Sequence, residues 1–172
     1  VNKLKGEPSA KKITIVHSES YRTSFSYSAL SHTYAMQMYN SSKKVTENTV
    51  DELTGEQIAY KNIILQYSSW RKYDENGYLN IDVDEPNVGK YIVNGKAIDI
   101  TWKKHTPWGA TFYYDTNGNQ ITMDTGKTWV CIIQDTYADR VEILGSDDNS
   151  DTSADTQGSE EQAAAEEAAA SD

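Results

Sequence analysis

The chain has 172 residues, the length of one ordinary domain, with 16 basic and 26 acidic side chains and a formal charge of −10. The charge is uneven: residues 146–172 hold nine acids and no base, leaving 17 acids against 16 bases in residues 1–145. That near-neutral body argues against a nucleic-acid footprint, and no run approaches the about 18 apolar residues of a membrane helix.

A single cysteine, Cys131, excludes an internal disulfide framework and a multi-cysteine zinc site. It lies in the apolar run Thr128-Trp129-Val130-Cys131-Ile132-Ile133. A buried, inert thiol is expected there, because no nearby positive charge would lower its pKa. The opening, Val1-Asn2-Lys3-Leu4-Lys5-Gly6-Glu7-Pro8, reads as a linker over residues 1–12, expected to follow an upstream segment. At the other end, residues 146–172 lack any aromatic or any aliphatic larger than Ala. Such a stretch cannot bury enough apolar surface to offset its ordering entropy, so a disordered acidic tail rich in Ala and Glu is expected.

Between these ends, residues 13–145 read as one mainly β domain. Ile13–His17 is a short β-rich run. Phe25 and Tyr27, then Tyr34–Tyr39, predict a hairpin across Ser28–Thr33, although the Met and Ala content of the second arm also permits a helix. Gln57–Tyr67 predicts a central strand with Ile63, Leu65 and Tyr67 on one face and Ile58, Tyr60 and Ile64 on the other. Tyr91–Val93 and Lys96–Trp102 flank Asn94-Gly95, residues that tolerate the positive φ of a two-residue hairpin turn. Ala110–Tyr114 and Gln120–Met123 flank Asp115-Thr116-Asn117-Gly118, a type I turn pattern. Asp124-Thr125-Gly126 then turns into the Trp129 strand. Tyr-Asp-x-Asn-Gly occurs at Tyr73–Gly77 and again at Tyr114–Gly118, which reads as reused turn chemistry rather than a repeat architecture. Short strands at this spacing predict an antiparallel curled sheet or partial barrel with little helix.

Three blocks carry a family resemblance. They are Asp51-Glu52-Leu53-Thr54-Gly55-Glu56-Gln57-Ile58-Ala59-Tyr60-Lys61-Asn62-Ile63-Ile64-Leu65-Gln66-Tyr67, then Gly89–Lys96 with Thr101-Trp102-Lys103-Lys104, then Phe112–Gly118 leading to Gly126-Lys127-Thr128-Trp129-Val130. Together they resemble the C-terminal part of the YerB-like lipoproteins, the family of the domain of unknown function 3048. The resemblance implies a bacterial domain held extracytoplasmically through an upstream lipid anchor, with an N-terminal domain of the same protein as a partner. It implies no catalytic activity.

Catalytic chemistry finds little purchase. No Gly-x-Ser-x-Gly elbow is present, and the Ser-x-x-Lys matches at Ser9 and Ser41 fall in polar loops. His17, His32 and His105 are far apart in sequence and form no metal-binding pair on a helix. Asp115-x-Asn117-x-Asn119 echoes the start of a calcium loop but has Gln120 and Gly126 where glycine and an acid belong. Gly89-Lys90 and Gly126-Lys127-Thr128 lack the glycine spacing of a phosphate loop. No metal and no cofactor is therefore expected. Asp82, Asp84 and Glu85 form the one acidic pair with a neighbour, expected in a solvated loop before Pro86.

The open option is aromatic recognition. Trp102-Lys103-Lys104-His105-Thr106-Pro107-Trp108-Gly109 joins two strands with two Trp, two Lys and one His. Trp102, Lys103, Lys104, His105 and Trp108 are the candidate ligand-binding residues, for a glycan or a peptide. Against this stands the reading of Trp102 and Trp129 as core filling. The expected function is a non-catalytic extracytoplasmic domain that binds or scaffolds an envelope protein, peptide or glycan. The rivals are a module using the Trp102–Trp108 loop and a hydrolase with carboxylates assembled from distant strands.

Overall fold

The computed structural model describes residues 4–145. The acidic tail expected over 146–172 lies outside the described residues. In chain order the strands are β1 (Lys12–Val16), β2 (Arg22–Ser28), β3 (Thr33–Asn40), β4 (Val45–Asn48), β5 (Ala59–Tyr60), β6 (Asn62–Ser68) and β7 (Trp70–Lys72). There follow β8 (Leu79–Ile81), β9 (Asn87–Val93), β10 (Lys96–Lys104), β11 (Thr111–Asp115), β12 (Thr128–Gln134) and β13 (Val141–Leu144). Helix is confined to one 3-10 segment, Asp135–Arg140, among the described residues.

The strands build two sheets and a small ribbon. One sheet runs β13-β1-β2-β3-β4, with β5 also on β3. The other runs β11-β10-β9-β6-β12, and β7 pairs with β8 alone. The expected mainly β fold with little helix is what the structure shows, and its sheets are open. The named strand pairings are antiparallel except that β12 lies parallel to β6, Trp129 opposite Ile63 and Ile133 opposite Tyr67.

One core fills the space between the sheets. Ile13, Ile15, Phe25 and Tyr34 come from the first, and Ile63, Leu65, Tyr67, Ile92, Cys131 and Ile133 from the second. A second cluster, Ile64, Tyr91, Val93 and Ile100, lies on the far face of the second sheet. Leu4, Ile121 and Met123 pack over it. All seven residues of β6 are buried, because it has a strand on each side and a cluster on each face.

Two expectations need correction. Tyr60 does not share the face of Ile64. Its ring sits 6.3 Å from that of Phe25, in the inter-sheet core. Alternation does not carry through because Lys61 separates β5, in one sheet, from β6, in the other. Gln120–Met123 is not a strand: only Gln120 bridges back to Tyr114. Ile121 donates its N–H to the Tyr113 carbonyl at 2.8 Å, and with Met123 turns its side chain onto the second cluster.

Other expectations hold. Asn94 and Gly95 take φ of 51° and 74°, the pair of positive angles a two-residue turn requires. Both Tyr-Asp-x-Asn-Gly segments are turns of one design. Asp74 accepts the Asn76 amide and Asp115 the Asn117 amide, at 3.0 and 2.9 Å, and Gly77 and Gly118 both have positive φ. The part of the opening segment nearest β1 belongs to the fold rather than to a linker. Ala10 is fully buried and donates its N–H to Gly95 O at 2.8 Å.

Tyr34 ties these parts together. Its hydroxyl donates to Ala10 O at 3.2 Å and accepts the Gly95 N–H at 2.9 Å. Burial pushes its phenol above the ordinary tyrosine pKa, so it stays a donor. Tyr34→Phe leaves a buried N–H without its acceptor. The expected loss is about 1–3 kcal/mol of unfolding free energy, read as a lower urea midpoint at unchanged slope.

Candidate functional site

The β10–β11 hairpin projects beyond the inter-sheet core. Lys103 lies opposite Phe112, and Thr101 opposite Tyr114. Because side chains alternate, Lys103, His105, Phe112 and Tyr114 share one face, while Trp102, Lys104 and Tyr113 share the other. The first face carries a chain of ring and cation contacts. The Lys103 ammonium stands 4.8 Å over the Tyr114 ring. The His105 ring lies 4.8 Å from that of Phe112, and His105 Nε2 is 3.5 Å from the Tyr114 hydroxyl.

The hairpin tip is a closed turn. Gly109 donates its N–H to Thr106 O at 2.9 Å, and Lys104 Nζ donates to Pro107 O at 3.1 Å. A Cβ at Gly109 would come within 2.8 Å of Thr106 Oγ1, so the tightness of the turn depends on glycine. Trp108 stands at this tip, 99% exposed. Its indole is therefore offered to solvent from a turn held by two hydrogen bonds.

The five sequence candidates thus divide. Lys103 and His105 lie on one exposed strip along a face of the hairpin, and Trp108 stands exposed at the tip beyond it. Trp102 is fully buried, with Nε1–H donating to Tyr67 O at 3.0 Å and Val88 O at 3.1 Å. It supports the hairpin from behind and offers no surface to a ligand. Lys104 faces the same way and pairs with Asp84 at 3.4 Å. Phe112 and Tyr114 complete the strip and were missed as candidates. Their signal was in the sequence: residues two apart on a strand share a face, and these two sit across from Lys103 and Thr101.

The acidic trio does turn work. Asp82 Oδ1 accepts the amides of Asp84 and Glu85, both at 3.0 Å. The Glu85 amide first, then the Asp84 amide, holds the Asp82 carboxyl below its ordinary pKa. A carboxylate so held is poorly suited to donate a proton. The histidines occupy three separate settings. His17 Nε2 is 3.3 Å from Thr23 Oγ1, His32 Nδ1 is 3.0 Å from the Tyr27 hydroxyl, and His105 lies on the strip. The Asp115 loop folds on itself, Asp115 Oδ1 accepting the amides of Asn117 and Asn119.

A concavity of about 850 Å³ lies over the second cluster. Leu4, Val93, Ile98 and Ile121 are among its apolar lining, and Glu7, Asp99, Asp115 and Asp124 are its acids. Asp124 accepts the Asn94 side-chain amide at 2.8 Å and has Lys61 Nζ at 3.8 Å, so this carboxylate braces the turn before β12. In the same region, Tyr91 donates to Asn62 Oδ1 at 2.7 Å while Asn62 Nδ2 donates to Asp124 O at 2.8 Å.

Cys131 faces the inter-sheet core, 8% exposed, and burial pushes its thiol up to about 11. The folded state therefore holds this proton more tightly than the unfolded chain. Its contribution to stability is complete below the ordinary thiol pKa of 9.0 and declines as pH rises from there towards 11. A disulfide reagent at pH 8 is expected to label the folded protein far more slowly than the urea-unfolded chain, read at the reagent's chromophore.

No helix among the described residues is long and apolar enough to cross a membrane. No curated protein matches the sequence. The crystal structure of the YerB protein from Bacillus subtilis is similar, with a TM-score of 0.66 at 22% identity. The match covers 81% of this chain and 45% of that one, so the present chain spans less than half of that structure. At this identity the likeness establishes the fold alone. The model of the C-terminal domain of the proteins of unknown function DUF3048 matches residues 13–130. That span runs from the second residue of β1 through β11 to the start of β12, with both clusters' central strands, and the chain belongs to the DUF3048 C-terminal domain family.

Proposed function

We propose that this domain is a non-catalytic binding module of the bacterial cell envelope, carried on the extracytoplasmic side by a membrane-anchored lipoprotein. Its ligand is a glycan or peptide, taken on the strip of Lys103, His105, Phe112 and Tyr114 with Trp108 at the tip. One observation carries the reading: a fully exposed indole on a hydrogen-bonded turn, at the end of a hairpin face that carries three rings and the Lys103 ammonium. Such a surface stacks on sugar rings and grips apolar or aromatic peptide side chains, and the Lys103 ammonium adds attraction for carboxylates. The turn role of Asp82 supports a role without hydrolysis. The envelope location rests on the family resemblance, as does an N-terminal domain of a longer protein as a scaffolding partner.

The test uses purified cell-wall sacculi, which present glycan strands and peptides together. The wild-type chain is expected to co-sediment with them, and Trp108→Ala to lower the affinity by about tenfold or more, as at a binding hot spot. Because Trp108 makes no core contact, the same variant is expected to unfold within about 0.5 kcal/mol of wild type. Sacculi that retain wild type and Trp108→Ala equally would overturn the assignment of the strip.

A further inference from the structure

The outer strands are β13, β4 and the two-residue β5 in the first sheet and β11 and β12 in the second, and all but β12 are short or blunted. β4 carries Glu47, which is hydrogen-bonded to Lys43 and Asn40. β13 carries Glu142. β11 is bridged by Gln120 and capped by the Asp115 turn. β12 differs. It ends its sheet, pairs with β6 on one side, and reads Thr-Trp-Val-Cys-Ile-Ile-Gln without a charge or a proline. Soluble proteins ordinarily guard such an edge. Two of its side chains, Val130 and Ile132, are 46% and 47% exposed on the face opposite Trp129, Cys131 and Ile133.

The flanking charges give the edge a symmetry. Lys127, just before β12, and Asp135, the first residue of the 3-10 segment that follows it, are both exposed and stand four residues before and four after Cys131. An antiparallel second β12 centred on Cys131 would set Lys127 opposite Asp135 of the second copy, and Asp135 opposite its Lys127. In that register Val130 lies opposite Ile132 of the second copy, and Trp129 opposite its Ile133. Cross-strand pairs of these kinds stabilise a sheet. A slip of one residue would leave the charges unpaired and disturb every facing pair.

We infer that β12 is a self-pairing edge through which two copies of this chain form a two-fold dimer with one continuous ten-stranded sheet, five strands from each copy. The pairing is isologous, so it closes at two and does not propagate. It supplies main-chain hydrogen bonds to an edge that has no strand partner among the described residues, and it brings Val130 and Ile132 against their counterparts.

Sedimentation velocity over a wide concentration range tests this on the 172-residue chain. The wild type is expected to pass from monomer to dimer. K127E places two acids opposite each other in the homodimer, and D135K places two lysines. Each variant alone is expected to dimerise about tenfold more weakly. An equimolar mixture of the two restores both pairs, K127E in one copy facing D135K in the other, and is expected to regain dimer. Neither residue is in the core, so thermal unfolding of each monomer checks that folding is intact. A chain that is monomeric at every concentration would overturn the inference, as would open-ended aggregation or a mixture that associates no better than its components.

Discussion

Trp102→Ala is expected to lower the unfolding free energy by about 3–5 kcal/mol, the range of a large aromatic removed from a packed core. The ring is fully buried, and its Nε1–H is shared by two main-chain carbonyls, Tyr67 O at the end of β6 and Val88 O in β9. Truncation leaves a cavity and removes the donor from both carbonyls, so the packing and polar losses add. Trp102→Phe separates them: it keeps most of the ring and loses only the donor, for an expected cost of about 1–3 kcal/mol. Urea unfolding at constant slope measures both. If Trp102→Ala left the midpoint unchanged, Trp102 would have to be a surface residue and the division of the hairpin's two faces would be wrong.

Gly89→Ala is the second large effect. Gly89 pairs with Gln66 of β6 on one side and Ile100 of β10 on the other. Its φ is unremarkable, so the cost is one of space. A Cβ there would collide with the Leu65 carbonyl oxygen and touch Ile100 Cγ1 at 3.4 Å. The first contact is main chain and cannot swing aside, so β6 and β9 must separate locally. Overpacking of this kind costs about 1–3 kcal/mol, and more where the backbone itself must move. Amide exchange is the sharper readout. Protection is expected to fall at Leu65, Gln66 and Lys90, in the middle of the second sheet, before it falls in β1 and β2. Uniform or absent loss would contradict the pairing of β6 with β9.

Local chemistry was legible in the sequence. Asn94-Gly95 and the two Asp-x-Asn-Gly turns fix the chain by backbone angles and short-range hydrogen bonds, which depend on neighbours only. The burial of β6 was legible too, because apolar residues on both faces demand cover on both. What the sequence did not hold was the direction of long-range pairing. Nothing in Thr128–Gln134 records that its partner strand is parallel and some sixty residues away. The end of Gln57–Tyr67 facing the other sheet was lost for a related reason: a strand that changes sheets at Lys61 looks continuous in its pattern. For the candidate site, alternation could have separated Trp102 from Lys103 and His105 at once. The exposure of Trp108 depended on a turn whose closure, through Gly109 and Lys104, becomes visible only in three dimensions.

The account turns on one hairpin burying Trp102 and presenting Trp108. A 15N–1H spectrum of the four indoles, titrated with soluble cell-wall fragments, tests it most directly. The Trp108 indole N–H is expected to exchange freely and shift on addition, while that of Trp102 stays protected and unmoved. A Trp108 resonance that ignores saturating fragments while the Trp102 resonance moves would contradict it.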